Sequence, residues 1–274
     1  MRNIRRRQTH GEAESLWSCI LCGEENAALA SPITKESSPC ACCGGTWRDR
    51  ALVLGLQVGL GHEPVPMAEL SPDWSRVGVG FDDSPLLFSR LPSRIIYTNT
   101  HLHRFPRLDL CDPPSEARDA FEFAICSEVL EHVEAPVDRA FSGLASLLKP
   151  RGFAVVSVPL GSNSKSIEYY PDMARYEILE NGDVCWEDSG GQRHLDSDPE
   201  YHGGTGLVLA FRIFGESDLR VCLERAGFAE ISEVAHRPDL GVPECDDWIR
   251  SGGCVKDSVG KVRGGKVFLA RMPG

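Results

Sequence analysis

Apolar positions along this chain follow two rhythms. Short runs rich in Val, Ile, Phe and Ala recur as candidate strands at Arg76–Gly80, Arg94–Thr98, Phe123–Ser127, Phe153–Pro159, Ala229–Val234 and Lys266–Arg271. Between them, apolar residues three and four apart predict helices over Val137–Leu148 and Ser217–Ala226. A further helix is expected at Ala51–Leu60, with Gly61 placed to stop it. Such alternation predicts an α/β fold with a mostly parallel sheet covered on both faces. The stretch from Gly161 to Gly215 is too long for a simple connection. Within it, Arg175–Glu187 reads as a β-hairpin turning at Asn181-Gly182, so residues 161–215 are expected to form a lid.

Composition narrows the class. The 274 residues hold one full domain plus a small appendage, and 42% hydrophobic with 25% charged residues is ordinary for a globular protein. The basic start, Met1 to Arg7, is not followed by an apolar stretch, so it does not read as a secretory signal. No apolar run is long enough to span a bilayer. A cytoplasmic protein without a membrane partner is expected. The net charge of -11 argues against a broad nucleic-acid surface, which would need Lys and Arg to neutralise phosphates.

The chain has eleven cysteines, an odd number, and five of them fall between Cys19 and Cys43, which points to metal rather than disulfides. Cys19-Ile-Leu-Cys22-Gly and Cys40-Ala-Cys-Cys43-Gly are two CxxCG units with the spacing of a zinc ribbon. Cys19, Cys22, Cys40 and Cys43 are the expected ligands of a closed, structural Zn2+ site. Cys42 is read as a non-ligand, since using it would change the two-residue spacing. A zinc-ribbon module over residues 1–50 and a catalytic domain over 51–274 follow from this reading.

The block Ser127-Glu-Val-Leu-Glu-His-Val133, running through an amphipathic helix to Lys149-Pro-Arg-Gly152 and an apolar strand, is similar to the strand-4 to strand-5 segment of class I S-adenosylmethionine-dependent methyltransferases. The CxxCG pair, "YTNTxxHxxPxLD" and "HGGxGxxLxxRxF" extend the resemblance over most of the chain. They resemble a bacterial, zinc-ribbon-bearing subgroup found among glycan and secondary-metabolite genes. The resemblance implies a Rossmann-like seven-stranded sheet with S-adenosyl-L-methionine as cofactor and a small-molecule acceptor.

Ligands of open α/β sheets bind beyond the carboxyl ends of the strands. The resemblance then assigns Gly78 and Gly80 to the cofactor loop and Asp82 or Asp83 to the methionyl ammonium. It gives Asn99 to the ribose, where the family usually has an acid, and Asp109 with the Leu110 backbone to adenine, on a third strand near Arg107–Asp112. Ser127 lies at the shared rim. A histidine is the natural base near neutral pH, so His132 and His202 are the candidates for acceptor deprotonation, with Glu128 and Glu131 to orient the histidine or the acceptor. His101 and His103 are further polar candidates. Tyr169, Tyr170, Trp186, His194 and Tyr201 in the lid suit a small organic acceptor, although aromatics in a hairpin more often pack together.

Two other readings stand beside this one. An RNA methyltransferase would use Arg2, Arg5, Arg6, Arg7, Arg48 and Arg50 around the zinc module. A non-catalytic adaptor would retain the fold with a degenerate glycine loop. The oligomeric state has no signal in the sequence.

Overall fold

The computed structural model describes residues 16–27, 33–34, 36–202, 208–245 and 265–274. In chain order, Trp17–Ser18 (β1) and Glu25–Asn26 (β2) precede helix Trp47–Gly59 (α1). Asp73–Phe81 (β3), Pro85–Arg90 (α2), Ile95–Thr100 (β4), Phe121–Ser127 (β5), Asp138–Ser146 (α3) and Leu148–Ser157 (β6) follow. The insertion holds Ile167–Glu168 (β7), Met173–Ile178 (β8), Val184–Asp188 (β9), Arg193–Asp196 (β10), Tyr201–His202 (β11), Val208–Leu209 (β12) and Arg212–Ile213 (β13). Glu216–Ala226 (α4), Glu230–Glu233 (β14) and Phe268–Arg271 (β15) close the chain.

The main sheet runs β14-β15-β6-β5-β3-β4. Strands β4, β3, β5 and β6 are parallel, while β15 is antiparallel to both β6 and β14. This is the expected Rossmann-like architecture, with six strands assigned among the described residues. At the place of the seventh, the chain near Arg107 makes a single parallel bridge to His101. Asp109 explains the interruption, because its Oδ1 accepts from the Cys111 amide at 2.8 Å and turns the backbone locally.

Period-two alternation sends each strand's side chains to two separate cores. Phe123, Ile125, Phe153, Val155 and Leu269 face one way, and Ala124, Cys126, Ala154, Val156 and Phe268 face the other. Each fully buried large side chain here stabilises by roughly 1.5–3 kcal/mol. Helices α3 and α4 cover the second face through Phe141, Leu144, Leu219 and Leu223. The first face is covered by α1 together with Trp17, Cys19, Ile20 and Leu21, so the cysteine segment shares one core with the sheet.

Helix α1 begins four residues before the expected Ala51. Thr46 caps it: its side chain accepts from the Asp49 amide, and its own amide donates to Asp49 Oδ2 at 3.0 Å. The helix lies close on β6, where a Cβ at Gly59 would enter the Phe153 ring. Its Arg50 is fully buried, with the guanidinium donating to the Gly241, Ser38 and Gly45 carbonyls at 2.6, 3.0 and 2.6 Å and lying over the Trp17 ring. That one side chain ties the cysteine segment to the end of the sheet. The expected hairpin is present, with β8 paired to β9 across Asn181-Gly182 and β10 added beyond β9.

Candidate active site and cysteine centre

The two CxxCG knuckles bring four free thiols together. Cys19 and Cys43 sulfurs lie 3.8 Å apart, Cys22 and Cys40 sulfurs 3.6 Å, and all four within 4.8 Å of one another. Four ligands about 2.3 Å from a tetrahedral ion are separated by roughly 3.8 Å, so the donor set fits Zn2+. Gly23 and Gly44 follow each knuckle at φ +82 and +74, and their amides return to the Cys19 and Cys40 carbonyls. The Asn26 amide group approaches Cys40 Sγ while its carbonyl accepts from Ala41. Cys42 is exposed and outside the cluster.

Because β3, β4 and β5 are parallel, their carboxyl ends form one rim. Gly78 sits inside β3, in register with Tyr97 of β4 and Phe123 of β5. The Tyr97 and Phe123 rings stack across it at 6.0 Å, and a Cβ there would enter the Phe123 ring. Gly80 makes room for a hydrogen bond from the Tyr97 hydroxyl to Asp83, since its Cβ would meet both groups. Asp83 therefore lies beneath the loop. Burial pushes its carboxyl up to about 7, although the Tyr97 hydroxyl bond favours the charged form. Asp82 takes the left-handed φ +51 and turns outward, 57% exposed, to His101 and Arg104. Of the two aspartates, only Asp82 is presented at the rim.

Asn99 is buried, and its Oδ1 accepts from the Asp83 amide at 3.1 Å. Asp109 is half-buried in the turn already described, and Leu110 is buried beside it. Ser127 Oγ pairs with Ser157 Oγ at 2.8 Å, and Ser157 also donates to Glu128 Oε1 at 3.4 Å. Glu128 adopts the left-handed φ +57 at the end of β5, a sparsely populated conformation for a non-glycine residue. His103 is exposed.

Glu131, His132 and His202 come together although 70 residues separate the two histidines. Glu131 is fully buried. Its Oε1 lies 3.7 Å from both His132 Nε2 and His202 Nδ1. His132 Nδ1 donates to the Leu209 carbonyl at 2.9 Å, His202 Nε2 reaches Glu200 Oε1 at 3.1 Å, and the two rings meet edge to face at 5.1 Å. Burial alone would lower the His202 pKa, but the Glu131 and Glu200 carboxylates outweigh it and hold it up to about 9. Burial would raise Glu131, yet the His202 and His132 rings hold it below the usual carboxylate range.

Two functional residues escaped the sequence reading, Glu200 and Arg212. Arg212 is buried and donates to the Leu130 and Val133 carbonyls at 2.8 and 2.5 Å and to Glu168 at 2.7 Å, fixing the Glu131–His132 turn. The only sequence signal for it is the "RxF" of the lid motif. The aromatics of the insertion mostly pack on each other: Tyr170 meets Trp186 and Phe211, Tyr201 donates to the Gly182 carbonyl, and His194 stacks on Trp186. Gly203 and Gly204 lie outside the described residues, as do Arg2, Arg5, Arg6 and Arg7. Of the remaining arginines expected around the zinc module, Arg50 is buried and Arg48 pairs with Glu36 at 2.9 Å.

Among the described residues, no helix is long and apolar enough to cross a membrane. A comparison with curated proteins found no match. Among solved structures, the chain is similar to Burkholderia thailandensis 1,6-didemethyltoxoflavin-N1-methyltransferase, at 14% identity and TM-score 0.42 over 83% of this chain and 81% of that one. It is also similar to a putative methyltransferase from Bacillus halodurans, at 15% identity and TM-score 0.42 over 81% and 99% of the two chains. Streptomyces venezuelae DesVI gives 11% identity and TM-score 0.40 over 82% and 92%. The family described as Methyltransferase domain matches residues 78–233, more than half of the chain. The chain belongs to this methyltransferase-domain family and is an S-adenosylmethionine-dependent class I enzyme.

Proposed function

We propose that the enzyme methylates a hydroxyl or amine of a small molecule of the glycan or secondary-metabolite kind, and that the acceptor's proton is taken up at the Glu131–His132–His202 group. The observation that carries this reading is the convergence of two imidazoles and a fully buried carboxylate next to the β5 rim. S-Adenosylmethionine, when bound, supplies a methyl carbon activated by its sulfonium. Asp82 at the rim suits the methionyl ammonium, the Asn99 NH2 a ribose oxygen, Asp109 and the Leu110 backbone the adenine, and Ser127 the shared edge. Gly78 and Gly80 serve the cofactor indirectly, by letting the rings and Asp83 pack under the loop.

Of the two histidines, His132 is the better proton acceptor. Its Nδ1 hydrogen is committed to the Leu209 carbonyl, which leaves Nε2 as the basic nitrogen. His202, held up to about 9, keeps its proton at neutral pH and balances Glu131. Glu128 lies beside Ser157 and Ser127 and orients the acceptor rather than the imidazoles. The remaining work is alignment, which residues 161–215 perform as the lid.

The four-thiolate centre is proposed to hold Zn2+ in a module over residues 1–50 that shapes the catalytic domain of 51–274. Its free thiols suit the reducing cytoplasm. The test is methyl transfer from labelled S-adenosylmethionine to a panel of sugar and aromatic hydroxyls and amines, with transfer RNA in parallel. Product on a small molecule supports the reading; transfer to RNA alone contradicts it.

A further inference from the structure

The Glu131–His132–His202 group carries a feature that proton transfer does not use. Neither Glu131 oxygen meets a hydrogen-bond donor among the described residues, although the side chain is fully buried. A buried carboxylate that makes no hydrogen bond is costly, even with imidazoles nearby. The two imidazoles stop at 3.7 Å from Oε1, beyond hydrogen-bond range. That separation instead suits atoms sharing one ion, since ligands at about 2.0–2.2 Å in a tetrahedral shell stand roughly 3.4 Å apart.

The outer nitrogens strengthen the case. Each imidazole turns one nitrogen toward Glu131 and anchors the other: His132 Nδ1 on the Leu209 carbonyl and His202 Nε2 on the Glu200 carboxylate. Metal-bound histidines are oriented in this way, by a carbonyl or carboxylate on the nitrogen that does not ligate. The turn that carries Glu131 and His132 is itself clamped by Arg212 on both sides, at the Leu130 and Val133 carbonyls. The ligand atoms are therefore set in place by groups outside the cluster.

We infer that Glu131, His132 and His202 form a second metal site, which binds a divalent transition ion such as Mn2+ or Zn2+. Two imidazoles and one carboxylate favour such ions over Mg2+ or Ca2+. The three ligand atoms lie within 4.8 Å of one another, and three protein ligands leave a coordination position open, as in catalytic rather than structural sites. His132 and His202 remain 16% and 26% exposed, so the open side is reachable. The inference rests on the proposed reading for where the acceptor sits, and it changes how the acceptor is activated. In the cation-bound state the imidazoles are ligands, and an acceptor hydroxyl at the open position ionises more readily, its proton leaving to bulk water.

The test uses the full chain with its thiolate centre loaded, stripped of loosely held ions and titrated with Mn2+ under electron paramagnetic resonance. Mn2+ prefers nitrogen and oxygen to thiolate, so the cysteines do not compete. One Mn2+ per chain is expected, bound about 100-fold more weakly by Glu131→Gln and at least about tenfold more weakly by His202→Ala. Retained S-adenosylmethionine binding shows that each variant is folded. Absence of saturable Mn2+ binding, or a site indifferent to both substitutions, overturns the inference. Methyl transfer at full rate in the stripped chain would remove the cation's activating role while leaving the proposed reaction standing. Mn2+ binding with no transfer to any acceptor would do the reverse.

Discussion

The cysteine centre and the Glu131–His132–His202 group both gather metal-binding side chains, but they are built by opposite routes. Four thiolates close around one point, each pair set by a local knuckle, and the segment is packed into the same core as β5 and β6. The second group takes two members from a turn after β5 and a third from the insertion, and its imidazoles stay partly exposed. On the proposed reading, the closed, partly buried centre serves the fold and the open one serves chemistry. The difference predicts which perturbations unfold the protein and which only silence it.

The largest effect separates the two directly. Stripping the thiolate centre with a strong chelator should cost on the order of 10 kcal/mol of folding free energy and abolish the cooperative thermal transition. If the transition survives, the module is an appendage and not part of the sheet's cover. Next in size, Arg50→Ala leaves three carbonyls without their charged donor and should destabilise by about 3–5 kcal/mol in denaturant titrations.

A third effect depends on pH. The Asp83 carboxyl titrates near 7 when folded and near ~4 when unfolded, so the folded state holds the extra proton between these values. Stability on this account falls as pH rises from about 4 to 7, by on the order of a few kcal/mol. Asp83→Asn, which keeps an acceptor for the Tyr97 hydroxyl, should flatten that decline, as thermal unfolding at pH 5 and pH 8 would reveal. An unchanged slope would mean that Asp83 is not the group responsible. The smallest effect lies in the insertion: Gly182 turns the β8–β9 hairpin at φ +87, and Gly182→Ala should cost about 1 kcal/mol without touching the cysteine centre.

How much of this was legible in the sequence follows from the same contrast. The knuckles were readable because each pair of ligands has only two residues between them, and the sheet was readable because each strand alternates or runs apolar in place. Gly78 and Gly80 occur where a cofactor loop was expected, but their contacts with Phe123, Tyr97 and Asp83 belong to packing across three strands, which no local pattern records. The expected strand at Arg107–Asp112 shrinks to one bridge because Asp109 caps a nearby amide. His132 and His202 were both visible as candidates. Their meeting on one buried carboxylate depends on the insertion folding back, with Phe211 donating its amide to the Glu131 carbonyl.

The central claim is that this methyltransferase separates cofactor binding at the strand ends from acceptor activation at the Glu131–His132–His202 group. The most direct test is His132→Gln, assayed by calorimetry with S-adenosylmethionine and by methyl transfer to an accepted substrate. The account predicts cofactor affinity within about twofold of the parent and transfer reduced by about 100-fold or more. Transfer at the parent rate, or a folded parent chain that does not bind S-adenosylmethionine, would contradict it.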